Sequence, residues 1–136
     1  MDFKDALAKA RESRPEPVLV AVAVGDDLFN VEVRRLDGMD WAGVMAECPP
    51  VTEKGARLGY EAERAALVAC RQYSRLLTAD GDVVTGIDWD DLFKLISGTE
   101  IGAIAATWWA LNMADPNRRV VELKKALAGG GKTSSS

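Results

Sequence analysis

The clearest pattern lies near the start of the chain, where apolar residues alternate with polar ones. Residues 28–36 alternate in this way, and residues 18–24 before them read V-L-V-A-V-A-V. Side chains of a strand point alternately to its two faces, so a period of two predicts strands. Residues 25–27, G-D-D, supply the turn, and we predict a β-hairpin over residues 17–36. The first strand is apolar on both faces, so we expect both faces to be covered.

Apolar residues at helical spacing dominate the rest of the chain. A hairpin alone is marginal in water, so helices should pack onto it. An N-terminal amphipathic helix is predicted over residues 1–14, before the Pro15-Glu16-Pro17 linker. The other helices are predicted at about residues 38–48, 61–73, 88–97, 100–113 and 116–128.

The connections between these helices contain glycine and proline. Residues 51–59 read as a loop, and residues 76–87 as a loop or a small irregular hairpin. Residues 129–136 are rich in glycine and serine and should form a flexible tail. The prediction is an α+β fold, with an N-terminal β-hairpin packed against a mainly α-helical bundle in a single domain of residues 15–128.

Polar residues before apolar stripes predict where the later helices begin. Asp88 should cap the helix that starts there, and Thr99 the next one. Pro116 suits the first position of the last helix. We expect that helix to turn three apolar residues inward, namely Val120, Leu123 and Leu127.

The segment 87–112 holds three of the four tryptophans. Trp41 and Trp89 lie on ordinary amphipathic stripes and should be core residues. Trp108 and Trp109 are adjacent, so their side chains diverge by about 100° on a helix. Both can be buried only if that helix is enclosed, which we expect for a helix that is apolar nearly all round. The alternative leaves one ring exposed as an anchor for a partner.

The composition narrows the range of functions. The chain has 136 residues, with 21 acidic side chains, 17 basic ones and no histidine. A mildly acidic chain argues against nucleic acid as the partner, and no apolar run reaches the length of a membrane span. The usual general base and the commonest metal ligand are both missing. We expect Cys48 and Cys70 to be free thiols in the core, with no cofactor and no metal.

Two stretches that resemble motifs fail on their spacing. Residues 131–133, G-K-T, match the end of a phosphate-binding loop, but the glycine required five residues earlier is Ala126. A calcium loop that began at Asp80 would need glycine and glutamate where Thr85 and Asp91 stand. No nucleophile has a recognisable base beside it. We therefore expect no catalytic residues and a protein that is not an enzyme.

Charge is distributed unevenly along the chain. Residues 78–100 carry six acids and one lysine, whereas residues 118–132 carry five basic residues and one acid. Patches of opposite sign can orient a partner or assist self-association into a homo-oligomer. A solvated helix face is the alternative explanation for the basic stretch.

Six short stretches combine core-type residues with turn residues. They are D-G-M-D-W-A-G-V-M-A-E-C-P-P (37–50), L-G-Y (58–60), A-A-L-V-A-C (65–70), I-D-W-D-D-L (87–92), L-I-S-G-T-E (95–100) and W-A-L-N (109–112). In these stretches the chain resembles the tail assembly chaperones of long-tailed, siphovirus-type actinobacteriophages. It departs from that pattern at residues 51–59 and 74–84, where no residue role is carried over.

The resemblance implies a non-enzymatic chaperone in the host cytoplasm. Such proteins bind the long, helical, aggregation-prone tape-measure protein and help to recruit tail-tube subunits around it. They are often made in two forms by a programmed ribosomal frameshift, and the G-G-G-K of residues 129–132 could be encoded by a slippery run of bases. A structural virion protein, such as a small tail or head–tail connector subunit, is the alternative function.

Binding of a client helix in a groove is the mechanism that we expect. A helix rich in alanine, glycine and tryptophan can offer a small-residue groove flanked by aromatic rings. The residues expected to contact the partner are Trp108, Trp109, Ile101 and Ile104, with Phe3 and Leu7 as a second candidate stripe.

Overall fold

The chain folds into an antiparallel sheet with helices on one face. A computed structural model describes the backbone of residues 2–135 and the side chains of residues 2–129. Within this part, the strands are β1 (Val18–Val24), β2 (Asp27–Val33) and β3 (Leu76–Thr78), in the order β1-β2-β3. The helices are α1 (Phe3–Glu12), α2 (Gly38–Ala46), α3 (Glu53–Leu58), α4 (Ala62–Tyr73), α5 (Trp89–Leu95), α6 (Gly98–Trp109) and α7 (Asp115–Ser135). The predicted α+β architecture is confirmed.

Only one face of the sheet is covered by helices. The register pairs Val22 with Phe29, and Val31 faces the same side two residues further along β2. Val22 and Val31 are fully buried. On the opposite face, Leu19 and Leu28 remain half exposed, so the expectation that both faces of β1 are covered is wrong. Single exposed leucines are tolerated on a protein surface, because polar side chains are too few to cover it.

Helix α3 lies where the sequence predicts a loop. Thr52 caps it, because its hydroxyl accepts the N–H of Gly55 at 3.0 Å. Gly59 ends it with a φ of 90°, a left-handed conformation that suits glycine. Gly55 and Gly59 suggest a loop in the sequence. In the structure Gly55 is a closely packed residue of this short helix, and Gly59 is its C-cap.

A capping box starts α6 and ties it to the sheet. The Ser97 hydroxyl accepts the N–H of Glu100 at 3.2 Å, and the Glu100 carboxylate accepts the N–H of Ser97 at 2.9 Å. The other Glu100 oxygen accepts the N–H of Ala23 on β1 at 2.7 Å. The backbone N–H groups of Ser97 and Ala23, with the Ser97 hydroxyl, hold the pKa of Glu100 below its ordinary value. The cap predicted at Thr99 is wrong, since only Ser97 has a glutamate three residues later.

Helices α6 and α7 form one continuous helix, joined by a π-helical turn over Ala110–Ala114. Pro116 follows this turn. Its ring lacks an N–H and would clash with the carbonyl of Asn112, and a wider turn before a proline relieves such a clash.

The backbone of α7 stays helical as far as Ser135, past the predicted start of the tail at Gly129. Each glycine disfavours a helix by about 1 kcal/mol without forbidding it. The side chains of residues 131–133, which resemble part of a phosphate-binding loop, lie outside the described residues, as does the structure of Ser136.

Helix α6 runs through the middle of the bundle. It packs against α4 on one side and against β1 and β2 on the other. Trp108 is buried, and Trp41 and Trp89 are core residues as predicted. Cys48 and Cys70 are buried free thiols, which confirms the expectation for them.

Candidate partner-binding surfaces

A groove of about 230 Å³ lies between α3, α4 and one side of α6. We call it the Trp109 groove. Helix α6 contributes Gly102, Ala105, Ala106 and Trp109, which share one helical face because they are spaced by three or four residues. Helices α3 and α4 contribute Lys54, Leu58, Ala62 and Glu63. Small side chains thus form the floor, and the Trp109 ring, 41% exposed, forms a wall.

The rim opposite Trp109 carries one ion pair. Lys54 Nζ lies 3.3 Å from Glu63 Oε1, and both side chains are mostly exposed to solvent. A pair of this kind contributes about 1 kcal/mol or less to stability. Because its charges cancel, the rim leaves the Trp109 groove apolar and close to neutral.

Glu61 holds the wall made by α3 in place. Its carboxylate accepts the N–H groups of Val51 at 3.0 Å and Thr52 at 3.2 Å, and the Thr52 hydroxyl at 2.8 Å. These hydrogen bonds lower the pKa of Glu61, and the bond from the Val51 N–H has the largest effect. Gly55 leaves room for the carboxylate, since a Cβ there would lie 1.5 Å from Glu61 Oε2. Residues 51–59, which the sequence predicts to be a loop, therefore form an ordered wall of the Trp109 groove.

The two adjacent tryptophans of α6 meet opposite environments. Trp108 is 1% exposed and stacks on Trp41, with ring centroids 6.3 Å apart and planes 8° apart. Tyr60 contacts the other side of this cluster, with its ring 5.6 Å from that of Trp41 in an edge-to-face arrangement. The expected burial of both rings is wrong. Trp109 stays exposed, and the alternative of one buried and one exposed ring is the observed one.

The residues that we expect to contact a partner on α6 divide into two groups. Trp108 and Ile104 are enclosed by the core, so a partner cannot contact them without opening it. We therefore correct their role to packing. Trp109 is accessible, and Ile101 is partly buried against the core. Sequence periodicity alone does not tell these groups apart, because all four residues belong to one strongly apolar helix.

Helix α1 carries the second candidate stripe. It contains no buried residue, and Phe3 and Leu7 are both exposed. Arg14, just after this helix, forms an ion pair with Asp37, just before α2. The two predicted contact residues of α1 are therefore accessible to a partner.

Helix α7 presents a further apolar stripe. Val120, Leu123 and Leu127 are 49%, 51% and 81% exposed. The inward packing predicted for them is wrong, since the main contacts of α7 are with the π-helical turn that precedes it. The amphipathic pattern correctly identifies an apolar face, but that face stays exposed among residues 2–129.

A second groove, of about 280 Å³, lies between the sheet and α5. We call it the α5 groove. Its apolar lining consists of Val24, Phe29, Leu76, Val84, Ile87, Leu92 and Leu95. Asp88 and Asp91 complete the lining, and Asp88 caps α5 as predicted by accepting the N–H of Asp91 at 3.1 Å. Sequence reasoning missed this groove because its walls come from segments far apart in the chain.

The two cysteines lie in the core and line neither groove. Burial raises the pKa of Cys70 to about 11 and also raises that of Cys48. Both thiols therefore stay protonated near neutral pH and act as packing residues.

Among residues 2–129, no three histidine, cysteine, aspartate or glutamate side chains converge on a potential metal site. In the same part of the chain, no helix combines the length and apolar character needed to span a bilayer.

Comparison with known proteins adds no relative: no family model, curated protein or solved structure matches the chain. The features of the molecule that bear on function are therefore its exposed apolar surfaces.

Proposed function

We propose that this protein is a non-enzymatic tail assembly chaperone of a long-tailed actinobacteriophage, acting in the host cytoplasm. Its client is the tape-measure protein, and it helps to recruit tail-tube subunits around that client. The resemblance of the six stretches between residues 37 and 112 to such chaperones supports this assignment. The observation that carries it is an exposed Trp109 beside a floor of small residues.

The floor of the Trp109 groove suits a close approach by a helix. Gly102 and Ala106 lie four residues apart on α6, and neither has a side chain that would keep a second helix away. Distances between packed helix axes depend on the side chains at the contact, so small residues shorten them. Trp109 would then pack along the apolar face of the client helix, as aromatic anchors do in groove binding.

The electrostatics of the groove also favour a client recognised by its apolar face. Lys54 and Glu63 neutralise each other at the rim, so the groove selects for neither charge sign. A long helical client repeats its apolar face every few turns. Many copies of the chaperone can therefore bind along one tape-measure protein, which would shield the surface that drives its aggregation.

A binding titration with the co-encoded tape-measure protein tests the proposal. Helical segments of that protein are titrated into the full chain, and the solubility of the tape-measure protein is measured with and without co-expression of the chain. Trp109→Ala should weaken binding at least about tenfold, roughly 1.4 kcal/mol, because truncating an aromatic anchor removes a hot spot.

Met39→Ala is the matched control, since Met39 is 84% exposed and lines neither groove. It should bind the client like the unmodified chain. Equal affinity for Trp109→Ala and the unmodified chain, or a tape-measure protein that stays insoluble when co-expressed, contradicts the proposal.

The alternative, a structural virion subunit, predicts a different location. Mass spectrometry of purified particles should find no stoichiometric amount of a chaperone, whereas a tail or connector subunit should be abundant.

The nucleotide sequence that encodes residues 129–132 provides a separate test of the expectation that the protein is made in two forms. A slippery heptamer and an overlapping downstream frame are needed there, and their absence removes the frameshift from the proposal without touching the groove.

A further inference from the structure

The apolar stripe of helix α7 stays exposed in the part of the chain that the structure describes. Val120, Leu123 and Leu127 follow the spacing i, i+3, i+7, which places them on one face over about 10 Å of helix. All three are about half exposed or more. An amphipathic helix derives most of its stability from burial of its apolar face, so this stripe needs a partner.

The charges beside the stripe are mostly positive. Residues 118–129 contain four basic residues and one acid. Arg118 pairs with Asp115 and lies 3.9 Å from Glu122. Arg119, Lys124 and Lys125 form no ion pair with any described residue. The partner of α7 should therefore be apolar at its centre and acidic at its rim.

The α5 groove has this complementary character. Its lining is apolar apart from Asp88 and Asp91, and Leu95, 62% exposed, lies at its edge. Residues 80–91 contain five aspartates and no basic residue. Neither Asp88 nor Asp91 forms an ion pair with a described residue, so their charges are available to an incoming basic helix.

The α7 helix of the same molecule cannot reach this groove. The groove lies beside α5, which ends just before α6 begins in the sequence. Helix α7 begins 17 residues after the first residue of α6. Because α6 continues into α7 as one helix, the first residue of α6 and the first residue of α7 are separated by roughly 25 Å, at 1.5 Å per residue. The helix would have to break and fold back to dock in its own groove.

We propose that α7 of one copy docks in the α5 groove of a second copy, so that the chain associates head to tail. Leu123 and Leu127 pack against the apolar lining, while Lys124 and Lys125 face Asp88 and Asp91. The two contacting surfaces differ, so the interface is heterologous, and repetition of it builds a ring or an open filament. This inference concerns self-association and does not depend on the chaperone proposal.

Sedimentation velocity on the full chain at increasing concentration tests the inference. The contact is a single helix in a small groove, so association should be moderate, with a Kd between about 1 and 100 μM. Raising the salt concentration should weaken it several-fold, because the Debye length falls from about 8 Å at physiological salt to about 3 Å at 1 M.

Two variants block the two halves of the contact separately. Leu123→Lys puts a charge in the stripe, and Leu95→Lys puts one at the edge of the groove. Both positions are exposed, so each variant should fold normally, which circular dichroism checks. Each alone should be monomeric. An equimolar mixture should form a 1:1 dimer and stop there, because Leu95→Lys keeps an intact α7 and Leu123→Lys keeps an intact groove.

Met39→Lys is the control for adding a lysine at an exposed apolar position, and it should associate like the unmodified chain. A chain that stays monomeric at every concentration overturns the inference. Loss of association in Leu123→Lys but not in Leu95→Lys also overturns it and indicates direct pairing of two α7 helices. A mixture of the two variants that stays monomeric overturns it as well.

Discussion

Helices α6 and α7 belong to one continuous helix, but their surroundings differ completely. Helix α6 buries Ile104, Ala105 and Trp108 in the core, whereas no residue between 115 and 129 is buried. Both halves have apolar residues at helical spacing. The comparison shows that such a pattern identifies a face to be covered without identifying what covers it.

The change between the two halves occurs at Asn112. Its Oδ1 accepts the N–H of Leu36 at 2.8 Å, and its Nδ2 donates to the carbonyls of Arg34 at 3.2 Å and Trp108 at 3.1 Å. Within the described part of the chain, it is the last side chain of the helix that bonds to the segment following β2. Met113 still packs against the core, and no described residue after it is buried.

Replacing the buried ring of α6 should have the largest effect on stability. Trp108→Ala should lower the free energy of unfolding by about 3–5 kcal/mol, because it removes a large core side chain and leaves a cavity. Urea denaturation measures the change. Trp109→Ala, the adjacent control, should cost about 1 kcal/mol or less. Equal losses in the two variants would contradict the contrast between the two rings.

Removing the last anchor of the helix should have the next largest effect. Asn112→Ala leaves the N–H of Leu36 without a partner and should cost about 1–3 kcal/mol. Asn117→Ala, in the exposed part of α7, is the matched control and should stay within about 0.5 kcal/mol of the unmodified chain. Thermal melts of both proteins compare them. A loss for Asn117→Ala as large as that for Asn112→Ala would show that α7 is anchored elsewhere.

The bonds at the start of α6 should make its stability depend on pH. The folded-state pKa of Glu100 lies below the ordinary value of 4.5. Its charge therefore stabilises the fold fully above that value, and this contribution is lost as the pH falls through the lower folded-state pKa. Glu100→Gln should reduce the melting temperature near neutral pH, and the gap from the unmodified chain should close in acid.

Glu122→Gln on α7 is the control for that pH series, because the ion pair of Glu122 with Arg118 is long, at 3.9 Å. Its melting temperature should follow that of the unmodified chain at every pH. A Glu100→Gln gap that stays constant from neutral pH into acid would show that the carboxylate charge is not the stabilising feature.

The smallest effect on folding is expected on the exposed stripe of α7. Leu123→Ala should change the free energy of unfolding by no more than about 0.5 kcal/mol at concentrations where the chain is monomeric. Leu92→Ala is the control on α5, since Leu92 is buried and should cost about 2–5 kcal/mol. Urea denaturation at low protein concentration measures both. A large loss for Leu123→Ala would place α7 against the domain.

Some structural features were accessible from the sequence because the relevant signal is local. The alternation after residue 28 predicts the hairpin, and the stripes around Trp41 and Trp89 predict two core rings. Asp88 stands where an N-cap is needed. The Ser-x-x-Glu pattern at Ser97 is also a local signal, and it is a stronger cap signal than the lone hydroxyl of Thr99. Helix α3 lacks such a local signal, because Gly55 and Gly59 resemble loop residues and only the packing of Glu61 against Gly55 explains the first of them.

The sequence by itself determined the β-hairpin, most of the helices and the residues that form apolar faces, because these properties follow from periodicity and caps over a few residues. The tertiary structure alone decided that Trp108 meets Trp41 while Trp109 faces solvent, and that two grooves form beside α6 and α5. Those outcomes depend on which distant faces pack together. The competing arrangements share the same local pattern, and only the packing of the whole core distinguishes them.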